Sequence, residues 1–282
     1  MDTVIACWNQ VTAGRAAQPD VGRELEALRL AGWPSVELWL DHWDAHRARH
    51  GDAGARHLLD DSGLHVAGAC FQEGLFFARG PELTGRLGEL DRRLEQCGLL
   101  GAPCLVVIPL PAELERPSLA DLELAAENVR RAAERAEPYG VSLTVEFLRG
   151  ARLVNNLPSA LHLAAAVDRA DVGVLVDTYQ LYAGPSKLED LDLLSADPSP
   201  LRFVHVTDLA SSLPRELWTD AERVLPGAGV LPLRDMFARL GAAGYAGPVS
   251  LELFSAEVCA RWAEDPVETA RAALRSVVAL WE

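Results

Sequence analysis

Four apolar runs in the second half of the chain each bring a metal-binding or proton-moving side chain to, or near, their C-terminal end. Residues 141–147 carry Glu146, residues 172–178 carry Asp177, residues 202–208 carry His205 and then Asp208, and residues 248–254 carry Glu252. An acid inside a run rich in Val, Leu and Phe is costly to bury unless a cation meets it. Three carboxylates gathered at one place raise one another's pKa, and a divalent cation resolves that conflict. Three oxygen donors with one imidazole suit Mn²⁺ or Mg²⁺ first, with Co²⁺ or Zn²⁺ also compatible.

The rest of the chain must supply elements that bring these four together. Strand-like runs are expected at 3–8, 35–40, 64–71, 103–108, 141–146, 172–177, 202–207 and 248–254. Helical patterns alternate with them at 21–30, 43–61, 81–100, 118–139, 157–168, 187–195, 233–243 and 266–281. The second helix has a weak middle at Gly51 and Gly54, the seventh strand is followed by a polar loop from Asp208 to about Val230, and Pro109-Leu110-Pro111 closes the fourth strand. Strict alternation predicts parallel strands with crossover helices. Eight such units in 282 residues predict one (β/α)8 TIM barrel over residues 1–282. An open doubly wound sheet is the alternative, but Trp8-Asn9-Gln10-Val11-Thr12-Ala13-Gly14 after the first strand lacks the G-x-G-x-x-G of a dinucleotide-binding turn. In a barrel, functional groups sit at the C-terminal strand ends, so strands five to eight would deliver the four candidate ligands to one side of one mouth.

The formal net charge of −15 opposes binding to phosphate backbones and anionic membranes. No apolar stretch reaches transmembrane length, and the N-terminus lacks the basic and apolar regions of a signal peptide. The five cysteines (Cys7, Cys70, Cys97, Cys104 and Cys259) form no close pair, which predicts reduced thiols and a cytoplasmic protein.

The chain resembles the sugar phosphate isomerase/epimerase superfamily of xylose isomerase-like TIM barrels. The segments that carry the resemblance are Gly32-Trp33-Pro34-Ser35-Val36-Glu37-Leu38, Val145-Glu146, Val176-Asp177-Thr178-Tyr179-Gln180, Val204-His205-Val206-Thr207-Asp208, Arg223-Val224-Leu225-Pro226-Gly227-Ala228-Gly229 and 244–252. They span nearly the whole chain in family order. The resemblance implies that Glu146, Asp177, His205 and Glu252 are metal ligands, and that Glu146 and Glu252 double as acid and base in proton transfer beside a ketone. The expected activity is a divalent-metal-dependent isomerase or epimerase of a small ketose or polyol ketone. The alternative is a dehydratase of a cyclic hydroxyketone, such as an inosose or a dehydroshikimate-like acid. Oligomers are common among such barrels, so a homo-oligomer is a further expectation by analogy.

One position departs from the family. Many members carry a His three residues after the strand-six Asp, and here that residue is Gln180, which can hydrogen-bond a substrate oxygen but cannot shuttle a proton. Arg223 is a second candidate substrate contact, together with Asp208, Trp39, His42 and Trp8. A dehydratase acting on an acid would need a cation for the substrate carboxylate, and Arg149, Arg152 and Arg223 are the candidates. Glu37 is expected inside the barrel in a hydrogen-bonding role. His42, His46 and His50 share one helical face at i, i+4, i+8, which makes a second metal site conceivable.

Overall fold

The computed structural model describes residues 5–14, 20–110, 114–210 and 213–281. Thr3 and Val4 of the expected first strand, and Pro111 after the fourth, lie outside the described residues. Eight parallel strands close into a barrel: β1 (Ile5–Asn9), β2 (Ser35–Trp39), β3 (His65–Glu73), β4 (Cys104–Ile108), β5 (Ser142–Glu146), β6 (Val172–Asp177), β7 (Leu201–Val206) and β8 (Pro248–Leu251). The ring is closed by β8, which pairs with β7 at Ser250↔His205 and with β1 at Cys7↔Ser250. The chain is thus a single (β/α)8 TIM barrel.

The strands are buried on both faces, so they are apolar nearly throughout rather than alternating. One face packs on the surrounding helices α1 (Val21–Ala31), α2 (Leu40–Ser62), α3 (Gly80–Leu100), α4 (Leu119–Ala136), α5 (Leu157–Val167), α6 (Thr178–Ala183), α7 (Leu233–Ala242), α8 (Ala256–Glu264) and α9 (Pro266–Val278). The other face fills the barrel with Cys7, Ala67, Cys104, Val106, Leu175 and Phe203. That filling is tight. A Cβ added at Gly68 would meet the Cys104 sulfur at 2.8 Å and the Phe203 ring at 3.1 Å, so glycine here makes room for a bulky plug below the mouth.

Several elements differ from their sequence expectation for identifiable reasons. The weak middle of α2 is a break: Gly51 has φ 71° and ψ 173°, outside helical space. Residues Leu188–Ser195 form a 3-10 rather than an α-helix. Two helices lie outside the expected set. One is α6, which starts directly at the end of β6 in a run of Thr, Tyr, Gln and Leu; the other is α8, capped by the Ser255 hydroxyl accepting from the Val258 N–H. Within the loop after β7, Asp208–Leu209 pairs antiparallel with Arg223–Val224. No helix among the described residues is long and apolar enough to cross a membrane.

Candidate metal centre

Glu146 is the last residue of β5 and Asp177 the last of β6, His205 lies one residue before the end of β7, and Glu252 follows β8. Although β8 ends at Leu251, the Glu252 N–H still donates to the Val206 carbonyl (3.1 Å), so its backbone continues the ladder. Ligand atoms of all four side chains lie within 4.8 Å of one another. That span matches donors arranged around one divalent ion with bonds of about 2.0–2.6 Å.

Asp177 and His205 are each fixed by a second contact. Asp177 Oδ1 accepts the Gln180 N–H (2.9 Å) and caps α6, which leaves Oδ2 facing the cluster. His205 Nε2 lies 3.0 Å from Glu37 Oε1. Its Nδ1 has no hydrogen-bond partner among the described residues, although it is fully buried, and it sits 3.4 Å from Glu252 Oε2. A carboxylate on one imidazole nitrogen, with the other nitrogen making no hydrogen bond, is the arrangement that prepares a histidine for a metal. Glu37 is itself saturated. Its Oε1 also accepts from the Cys70 thiol (3.0 Å), and its Oε2 accepts from Asn9 Nδ2 (3.0 Å) and the Ser250 hydroxyl (2.6 Å).

The electrostatics describe a crowded anionic site. Burial and the neighbouring Glu252 charge push Glu146 well above the usual carboxylate range. Burial also raises Asp177, and the Arg223 charge offsets this only in part. Burial alone would raise Glu252 too, but His205 and Arg223 outweigh it and hold it low. Burial would depress His205, yet Glu37 and Glu252 reverse that and lift it well above the ordinary imidazole value. A cation bound among these carboxylates would compete with that imidazole proton for the Nδ1 lone pair.

Arg223 is buried inside the same cluster. Its Nη1 lies 2.8 Å from Asp177 Oδ2 and 3.3 Å from Glu252 Oε2, its Nε donates to Asp220 Oδ1 (2.8 Å), and its guanidinium lies 4.5 Å from the Tyr179 ring centroid. Burial opposes its charge, but the three carboxylates outweigh that and keep it protonated.

The model of the xylose isomerase-like TIM barrel matches residues 25–277. The chain belongs to that family. Its relatives include the inosose isomerase of Halalkalibacterium halodurans, 28% identical over 270 residues that cover 94% of this chain and 93% of that protein. They also include the 3-dehydroshikimate dehydratase of Pseudomonas aeruginosa, 29% identical over 242 residues, 82% of this chain but only 36% of that longer protein. A crystal structure of IOLI protein with a bound zinc atom superposes with a TM-score of 0.81 at 25% identity, covering 97% of both chains.

Around the four candidate ligands of this xylose isomerase-like barrel, the remaining candidates divide. Trp39 ends β2, sets its ring edge-on to Phe71 (5.1 Å) and stands 6.3 Å from the His42 ring, which is buried at the start of α2. Gln180 Oε1 accepts the Arg149 N–H (2.9 Å), so the group Gln180 can offer a ligand is its NH₂. Two expectations are corrected. Trp8 does not wall the mouth. Its strand neighbours Cys7 and Asn9 point into the barrel, so Trp8 points outward, against Trp33 and Trp262, with its indole N–H on Glu24 (2.9 Å). Asp208 is not free for a substrate, because its two carboxylate oxygens accept from the N–H groups of Leu209, Gly227, Gly229 and Leu231. Close packing enforces this, since a Cβ at Gly229 would meet Asp208 Oδ1 at 2.3 Å.

His42, His46 and His50 belong to neither of the two groups that could hold a metal ion among the described residues, the first being buried and the last exposed. Asn9, Cys70 and Ser250 are the functional neighbours that sequence reasoning missed. Ser250 had a usable signal, since it lies two residues before Glu252 and shares its strand face. A cavity of about 680 Å³ lies at the opposite end of the barrel, against Tyr245, Val249 and Trp281, away from the four candidate ligands.

Proposed function

We propose that this chain is a divalent-metal-dependent isomerase or epimerase of a small hydroxyketone, either a ketose or a polyol ketone. The observation that carries this is the convergence of three carboxylates and an imidazole with an open Nδ1 at one barrel mouth. Glu146, Asp177, His205 and Glu252 would hold the ion, with Mn²⁺ or Mg²⁺ best suited to the donor set. A zinc-bound neighbour structure supports a divalent ion without fixing which one. When bound, such an ion polarises a carbonyl and stabilises the charge that develops as the adjacent C–H ionises.

The chain's own residues supply the rest. Asp177 and His205 are fully buried, whereas Glu146 and Glu252 each keep 6% exposure. Those two are therefore the ligands a substrate can reach, and they rise from different strands. One removes the proton beside the carbonyl and the other returns one, which shifts a carbonyl or inverts a centre. The Gln180 NH₂ donates to a substrate oxygen. Trp39 and Phe71 cover an apolar ring face and exclude water.

The dehydratase relative supports a second reading, in which the same proton removal expels a neighbouring hydroxyl. The arginines weigh against an acidic substrate. Arg223 is paired with Asp177 and Glu252, Arg149 Nη1 donates to the Tyr179 hydroxyl (3.1 Å) and the Trp218 carbonyl (2.9 Å), and Arg152 is exposed. A neutral polyol ketone suits these surroundings better.

The test is a panel of ketoses and cyclic polyol ketones, with Mn²⁺, followed by NMR in deuterated water. Wild type should exchange the proton beside the carbonyl at least about 100-fold faster than Glu146→Gln or Glu252→Gln. Equal rates in wild type and both variants for every substrate would reject the assignment. A new ultraviolet-absorbing enone or catechol product would select the dehydratase.

A further inference from the structure

Helix α1 turns one acid inward. Glu24 is 3% exposed, on the same buried face as Leu25 and Leu28. It touches none of the four ligands, and the proton-transfer chemistry does not use it. Its partners form one connected path. Glu24 Oε1 accepts from Trp8 Nε1 (2.9 Å), and Glu24 Oε2 accepts from Gln10 Nε2 (3.0 Å). At the other end of the same amide, Gln10 Oε1 accepts from the indole Nε1 of Trp43 (2.8 Å) and from the backbone N–H of Trp39 (3.1 Å). Trp8, Gln10 and Trp43 are fully buried.

Polarity makes this path directional. Trp43 and the Trp39 backbone offer only N–H donors, so the Gln10 oxygen must face them, and the amide NH₂ must then face an acceptor. Glu24 is that acceptor. Turning the amide over would set two donors against its NH₂ and strip Trp39 and Trp43 of their partner, a cost of about 1–3 kcal/mol for each buried group left unpaired. The held residue matters because Trp39 ends β2 at the mouth, where its ring packs on Phe71.

We propose that Glu24 is a positioning residue that acts through the Gln10 amide to fix the Trp39 backbone, and with it the apolar wall of the substrate pocket. This role rests on the assignment of the mouth as the substrate site, and the test separates the two. In Glu24→Gln an amide NH₂ and the Gln10 NH₂ compete at one place. In the double variant Glu24→Gln with Gln10→Glu every bond returns: the new amide accepts from Trp8 and donates to the new carboxylate, which accepts from Trp39 and Trp43.

Two measurements follow at one fixed pH above about 8, where the Glu24 carboxyl is ionised, with Mn²⁺ present. Nitrogen–proton NMR should show the Trp43 indole and Trp39 amide signals displaced in Glu24→Gln, although Glu24 touches neither, and returned towards their wild-type positions in the double variant. Kinetics on a ketone that wild type turns over should show KM raised about five-fold or more with kcat within about two-fold, because wall contacts bind ground and transition states alike. The double variant should bring KM back to within about two-fold of wild type. Shifts confined to Trp8 and Gln10, or a double variant no better than the single one, would overturn the proposal. If no ketone is turned over, the NMR arm still decides the relay while the functional assignment fails on its own. Should Glu24→Gln not fold, Gln10→Leu breaks the path at its centre and carries the same expectation for KM and the Trp39 signal.

Discussion

Glu37 accepts four hydrogen bonds with no exposure of its own, so it has no spare acceptor capacity. In Glu37→Gln one acceptor oxygen and an NH₂ would face the same four donors, and His205 would lose the charge that orients it. Calorimetric titration with Mn²⁺ should show the affinity falling about 10- to 100-fold although no ligand is touched. An affinity within about two-fold of wild type would refute that role. At this scale the sequence was legible where a residue's type alone restricts its surroundings. Glu146, Asp177, His205 and Glu252 stood out because charge at the end of an apolar run needs compensation. Trp8 misled because an indole fits both the helix layer and a pocket wall, and parallel strands buried on both faces carry no alternation to separate them.

Among the elements, the strands and long helices followed from their patterns, while α6 and the loop after β7 did not. Both are organised by side chain-to-backbone bonds that leave no periodic trace in the sequence. Asp208 shows how much rests on one such residue. It gathers four backbone N–H groups and holds the turn that returns the chain towards α7. Asp208→Ala should destabilise the protein by about 2 kcal/mol in urea unfolding, through buried donors left unpaired, while Mn²⁺ affinity stays within about three-fold. A large loss of affinity with unchanged stability would contradict this structural role.

For the whole molecule, the alternation of eight strand and eight helix patterns was enough to indicate a closed barrel, and the barrel was enough to gather the four candidate side chains. Which inward residues support them was not legible, because Asn9, Cys70 and Ser250 meet Glu37 only after β1, β3 and β8 have come together around β2. Global stability also has a readable pH dependence. Burial pushes Glu24 up to about 8, against the pull of the Trp8 and Gln10 donors. A folded-state pKa above the unfolded one favours folding at low pH. The contribution is fully present below about pH 4.5 and is lost as pH rises through about 8. Between pH 6 and 9, wild type should therefore lose about 3 kcal/mol of unfolding free energy relative to Glu24→Gln. Urea titrations of both proteins measure this, and a difference that does not change with pH would contradict it.

Asp177 divides its two oxygens between a helix and the candidate metal centre. That division makes ion affinity and the order of α6 two readings of one thermodynamic cycle. Whatever holds the carboxylate in its capping rotamer preorganises the ion site, and an ion that fixes the carboxylate must in turn stabilise the first turn of α6 by the same factor. The first turn of α6 carries Gln180, so occupancy of the centre and readiness of a substrate donor would rise together. Protection of the Gln180 amide against hydrogen exchange should increase in step with Mn²⁺ binding, and protection indifferent to the ion would show that the cap and the ligand act separately.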